Sequence, residues 1–262
     1  MPAIEMAHAV ASYQAILFTL QRLDDAAARG PSLLPGWTRA HVVAHLARNA
    51  ESHVRLLEAA MRGELVPQYP GGAEGRAHEI ELAARSPAAE LVDDFRRAGE
   101  ELFGVWERMP VQLWDVPTAV ATGSRAARAT VWARWRELEV HHVDLDLGFT
   151  PQDWPRAFVE AALPRVVTGL PERRRDGAGV QSASWLLDGE NPSGSWTVVV
   201  RSSRTEVRPV GSDDAHDLTV RGPAWALLFW LLGRATLNQL RDLTVVGDAG
   251  LAAALPVLHP YP

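Results

Sequence analysis

The chain of 262 residues contains no cysteine. That excludes disulfides, thiolate metal ligands and a cysteine nucleophile, so any thiol chemistry must borrow its sulfur from a small molecule. Lysine is absent too: all 26 basic residues are arginine, a sign of GC-rich coding rather than of chemistry. A basic surplus is also missing. The net charge is −6, whereas binding to phosphates of nucleic acid calls for a basic face. No run of about 18 apolar residues is available to span a bilayer. The opening MPAIEMAHAVASYQAILF has no basic n-region and no cleavage signature, so the expectation is a cytoplasmic protein with no membrane partner. What the chain does have is material for a core, with 47% hydrophobic residues and ten tryptophans.

The first half has helical periodicity throughout. Apolar positions recur at helical spacing over residues 3–28 and stop at Gly30-Pro31. A second helix is predicted from the N-cap Thr38 to about Gly63, and a third from Ser86-Pro87 to Pro110. A fourth lies within residues 123–148 and closes at Gly148. Two long connections, 64–85 and 110–124, suggest a bundle with crossover loops. After Gly148 the pattern changes. A linker and helix (149–170) lead into a polar loop at 173–179 and then short strand-like runs such as SWLLDG, SWTVVVRSS, TEVRPV and DLTVRG. PAWALLFWLLGRA is expected as a buried helix, LTVVGD as a last strand and AGLAAALPVL as a final helix. The fold class expected is α+β: a four-helix bundle over 1–149, then a smaller α+β domain with an antiparallel sheet over 150–262.

WRELEVHHVDLDLG, residues 135–148, concentrates the chemistry. Glu137 and His141 are four apart and share one helix face, with Asp144 three residues further on. Glu139 and His142 point elsewhere. On helix two, His45 lies on the apolar stripe that faces the bundle interior. Two imidazoles and a carboxylate from facing helices suit a borderline metal such as zinc, with one position left for water or substrate. A hydrogen-bonded Glu/His helix face is the competing reading. His41, four residues before His45, is a rival ligand. His53, two turns beyond His45, is expected at the surface or behind the ligands, and His142 packed on the flank. His8, His78, His216 and His259 show no partner pattern and are expected at the surface. Trp132, Trp135, Trp225 and Trp230 are read first as core.

The stretch LPGWTRAHVVAHLARNAE (34–51), followed by RWRELEVHHVDL (134–145), resembles the mycothiol-dependent maleylpyruvate isomerase family. The likeness rests on Pro35-Gly36-Trp37, His45-Leu46-Ala47-Arg48-Asn49, and Arg136-Glu137 with His141 and Asp144-Leu145. It implies a DinB-like metal-binding bundle with a smaller C-terminal domain, zinc held by His45, Glu137 and His141, and mycothiol as cofactor. VRGPAWALLFWLLGRA (220–235) resembles the family's helix ending in Gly-Arg, which implies that Arg234 is a functional, catalytic arginine. A helix C-terminal cation is the plain alternative for Arg234, and Arg221 is the competing arginine. The strands between 183 and 217 depart from the family pattern.

The implied reaction turns a cis enedioic keto acid into its trans isomer. Thiolate addition makes the locked double bond single, the bond rotates, and elimination restores the alkene. A free thiol has a pKa of about 8.5, and coordination to Zn²⁺ deprotonates it. A guanidinium from Arg234 could clamp a substrate carboxylate. The same apparatus would also serve a mycothiol S-transferase that joins the thiol to an electrophile. From another class comes a non-catalytic module that binds a ligand or partner, with the metal structural or absent; a closed site with four protein ligands would support the structural role. The expected partners are a small-molecule substrate and a small thiol, with the chain acting as a monomer or weak homo-oligomer.

Overall fold

A computed structural model describes residues 2–260 apart from 121–122, 176–181, 191–193, 203 and 212–214. The chain divides into two compact units, Met1–Phe149 and Thr150–Pro262.

The first unit is a four-helix bundle of α1 (Ala3–Leu20), α3 (Arg39–Met61), α5 (Ala88–Arg108) and α6 (Ala129–Asp144), with two short helices, α2 (Asp25–Arg29) and α4 (Gly72–Ala83), in its connections. Each long helix turns a strip inward. Tyr13, Ile16 and Leu20 of α1 meet Leu91, Phe95 and Leu102 of α5 and Val131, Trp135 and Leu138 of α6 in one core. At Gly99 of α5 a Cβ would come within 2.4 Å of the Tyr13 ring, so that helix pair needs glycine there to approach. Thr38 caps α3 in a reciprocal capping box with His41.

Several local expectations change. The predicted helix over 3–28 is two helices, because Asp24 leaves helical geometry and its side chain accepts from Ala27 N to start α2. The connection 64–85 holds α4, which buries only Ile80 and so lacks apolar periodicity to announce it. Residues 117–120 and 123–126 form a hairpin, β1 (Pro117–Val120) and β2 (Gly123–Ala126), so the fourth bundle helix starts at 129 rather than near 123.

The second unit opens with α7 (Arg156–Thr168) and carries a five-stranded sheet: β3 (Ser182–Glu190), β4 (Gly194–Arg201), β5 (Arg204–Pro209), β6 (Leu218–Pro223) and β7 (Thr244–Gly247). Strand order is β5-β4-β3-β6-β7. Every pair is antiparallel except β3–β6 at the centre, which is parallel. The chain runs β3-β4-β5 as a meander and then returns to the other edge of β3, which sets β6 in the same direction. Trp185, Leu187, Val198, Val200, Leu218 and Val220 alternate inward along the strands, and α8 (Ala224–Leu231) packs with β3, β6 and α7. The final run forms only one short helix, α9 (Ala254–Leu258), after a 3-10 turn. Of the polar loop expected at 173–179, residues 176–179 lie outside the described residues. No described helix is long and apolar enough to cross a membrane.

Candidate metal centre

On α6, Glu137 and His141 occupy successive turns of one face, as their spacing predicts. On α3, which packs against α6, His45 points into the same interior. Helix pairing brings three donor atoms together. His45 Nε2 lies 2.9 Å from Glu137 Oε2 and 3.1 Å from His141 Nε2, and His141 Nε2 is 3.3 Å from that same oxygen. Among the described residues, His45, Glu137 and His141 form a group whose donors could share one metal ion. Both imidazoles are buried, and the Glu137 side chain is 15% exposed.

The surroundings fix how each donor presents itself. His141 Nδ1 lies 2.8 Å from Oδ2 of the buried Asp144. A ring N–H given to that carboxylate leaves a lone pair on Nε2, aimed at the other two donors. Arg136 donates to Glu137 Oε1 at 2.7 Å and leaves Oε2 toward the histidines. Arg76 Nη2 approaches His45 Nδ1 at 3.1 Å. A guanidinium has only N–H groups to offer, so Nδ1 accepts and neutral His45 carries its proton on Nε2. The Trp37 ring sits edge-on to His45 at 5.7 Å between centroids, which gives the Pro-Gly-Trp turn a role in walling the site.

Titration follows from this arrangement. Burial pushes the His45 pKa down to about 4 against the pull of Glu137, so the imidazole is neutral and available as a ligand at neutral pH. For His141 burial also opposes charging, but the hydrogen bonds to Asp144 and Glu137 outweigh it and raise its pKa. Burial alone would raise the Glu137 pKa; the two histidines and Arg136 instead hold it well below the usual carboxylate range.

Other expected residues fall elsewhere. His41 is spent on structure: its Nδ1 serves the Thr38 cap at 2.7 Å and its Nε2 meets Glu81 at 3.1 Å. His53 is buried rather than at the surface, and so is His259, which bonds Thr205 Oγ1 at 2.8 Å. His142 packs flat on Phe149 and meets Thr19 Oγ1 at 2.7 Å. Glu139 faces α1 and accepts from Ser12 Oγ at 2.5 Å; burial lifts its pKa to about 7. In the second unit, Arg234 follows the left-handed Gly233 at the end of α8 and donates to Leu232 O at 2.9 Å, the geometry of a helix C-terminal cation. Arg221 pairs with Asp188 at 2.6 Å across β3–β6. Arg76 was not expected at the site. It belongs to α4, inside what the sequence presents as a connection, and only the fold brings it to His45.

The model of the family described as mycothiol maleylpyruvate isomerase N-terminal domain matches residues 11–146. Among solved structures, the chain is similar to the crystal structure of the mycothiol-dependent maleylpyruvate isomerase, with 23% identity, a TM-score of 0.78 and 95% of each chain covered. A structure of a mutant of that enzyme is similar at 22% identity, with a TM-score of 0.77 and the same coverage. At such identities the likeness establishes the fold. No curated protein matches the sequence.

Proposed function

Because this chain belongs to the mycothiol maleylpyruvate isomerase N-terminal domain family, we propose that it is a zinc- and mycothiol-dependent enzyme that isomerises maleylpyruvate or a close cis-enedioic keto acid to the trans form. The observation that carries the reading is the convergence of His45 Nε2, Glu137 Oε2 and His141 Nε2 within 3.3 Å of one another. One carboxylate and two imidazoles are a donor set for a borderline divalent cation, and three protein ligands leave a coordination position open.

His45, Glu137 and His141 would hold a divalent metal, and that metal would lower the pKa of a small thiol so that the thiolate needed for reversible addition to a double bond is available at neutral pH. The chain's own groups prepare this. Asp144 fixes the His141 tautomer and ring, Arg136 steers the Glu137 carboxylate, and the low pKa of His45 keeps its imidazole uncharged. Arg76 makes no ion pair among the described residues and rests on the Tyr69 ring, with 5.6 Å from guanidinium to centroid. A metal held through His45 Nε2 would leave the ring proton on Nδ1, donor against donor with Arg76, so that Arg76 would give up that contact. It is a cation suited to a carboxylate of the substrate. Arg234 is assigned a catalytic role on the family resemblance alone.

Elemental analysis should find about one zinc per chain in the wild type, lost in His45→Ala and His141→Ala, because a three-ligand site rarely survives loss of one ligand. With mycothiol and maleylpyruvate the product should be the trans isomer, with no net consumption of thiol. Accumulation of a thioether would instead assign the chain as an S-transferase. Zinc retained in both variants would remove the ligand assignment.

A further inference from the structure

The sequence signature at helix two ends in Asn49, and the chemistry above gives that residue nothing to do. Its partner is Arg134, which lies on α6 one turn before Glu137 and is 0% exposed. Arg134 Nη1 donates to Leu46 O at 2.7 Å and to Asn49 Oδ1 at 3.0 Å. Leu46 is the residue after His45. One guanidinium therefore crosses from the helix that carries Glu137 and His141 to the helix that carries His45, and grips the latter on both sides of its next turn.

Stability alone does not account for an arginine at this position. Its hydrogen-bond acceptors are neutral, its Nε and Nη2 have no hydrogen-bond partner among the described residues, and its guanidinium lies over the Phe95 ring, 5.8 Å from the centroid. Burial lowers its pKa only to about 10, so it stays charged at neutral pH. A buried cation with three of its five N–H donors unmet is costly, and a hydrophobic residue of similar volume is commonly as good or better for stability. The two helices also face each other with matching polar stripes, His45-Asn49-His53 on α3 and Arg134-Glu137-His141 on α6, each at helical spacing. The metal donors occupy one end of this seam, and the Arg134–Asn49 contact lies one turn along it.

We infer that Arg134 and Asn49 are positioning residues, forming a latch between α3 and α6 that sets the distance of His45 from Glu137 and His141. The inference rests on the metal-site reading above. Arg134 touches neither metal nor substrate; it acts through the register of the two helices.

The test measures zinc affinity of the full chain by competition with a chromogenic chelator, and ligand geometry by the visible d–d spectrum of the Co²⁺-substituted protein. Arg134→Met should bind zinc about 10- to 100-fold more weakly, the range seen when residues that orient ligands are lost, and should shift the Co²⁺ bands. Its metal-free thermal midpoint should equal or exceed that of the wild type. Asn49→Ala should move affinity and spectrum in the same direction. The double variant should be no worse than Arg134→Met, since both changes remove one contact. Arg134→Lys, which keeps a donor and the charge, should recover part of the affinity. Wild-type zinc affinity and an unaltered Co²⁺ spectrum in Arg134→Met would overturn the inference. If that variant does not fold, the same result in Asn49→Ala overturns it. A wild-type chain that binds no zinc would instead refute the metal-site reading itself.

Discussion

His53 is 2% exposed, and its Nδ1 has no hydrogen-bond partner among the described residues. Burial first, and the Arg134 charge second, push its pKa from 6.5 down to about 3. The unfolded chain therefore takes up this proton at a pH where the folded chain refuses it, and acid favours unfolding. Between pH 6.5 and 3 that contribution is about 1.4 kcal/mol per pH unit. From pH 7 to 5 the metal-free protein should thus lose about 2 kcal/mol through this one residue. His53→Leu should reduce the loss by about that amount, leaving the similar contribution of His45, as read from urea midpoints at the two pH values. An equal drop in variant and wild type would show that other groups sense the acid. Sequence spacing held the signal for burial here: 45, 49 and 53 fall on one helical stripe, so a histidine two turns beyond an inward one also faces inward. What spacing could not reveal is Arg76, whose place beside His45 depends on how a connection folds back.

The start of α3 was legible where that of α6 was not. Thr38 is a cap by type and position, and the residue three further on closes the capping box, although it is a histidine where glutamate or glutamine is usual. That role separates His41 from the metal donors. Thr38→Ala should cost about 1 kcal/mol of stability. His41→Ala should also destabilise the bundle, since it loses the cap and the contact to Glu81 on α4, yet leave zinc content at the wild-type level. Loss of zinc in His41→Ala would reinstate it as a ligand. The long helices α3, α5 and α6 were readable because each buries a periodic strip. Helix α4 was not, because it begins with two glycines at positive φ and buries a single apolar side chain. The hairpin β1–β2 was hidden for the same reason, with Thr118 the one fully buried residue of its eight.

At the scale of the molecule, α+β class follows from the change of period after Gly148, from a stripe every three to four residues to alternation. Strand order does not follow from such patterns. The parallel β3–β6 pair joins residues 33 apart at each contact, such as Trp185 with Leu218, and no local turn signals it. The three candidate donors, the carboxylate beside His141 and the Arg134–Asn49 contact lie in Met1–Phe149. We therefore propose that residues 1–149 are a self-sufficient metal-binding domain. Expressed alone, this segment should fold, bind about one zinc and show the Co²⁺ spectrum of the full chain, with no turnover if Arg234 contributes as assigned. A fragment that is unfolded by circular dichroism even with zinc would show that the two units fold as one.

The division of donors between helices also bears on how such a site assembles. Glu137 and His141 lie on successive turns of one face of α6, so they stand together as soon as that stretch winds, whatever the rest of the chain is doing. His45 comes from a segment more than ninety positions away and reaches them only through a long-range encounter. An ion captured first by the nearby pair would give the incoming helix a target, turning a chance collision into a guided closure.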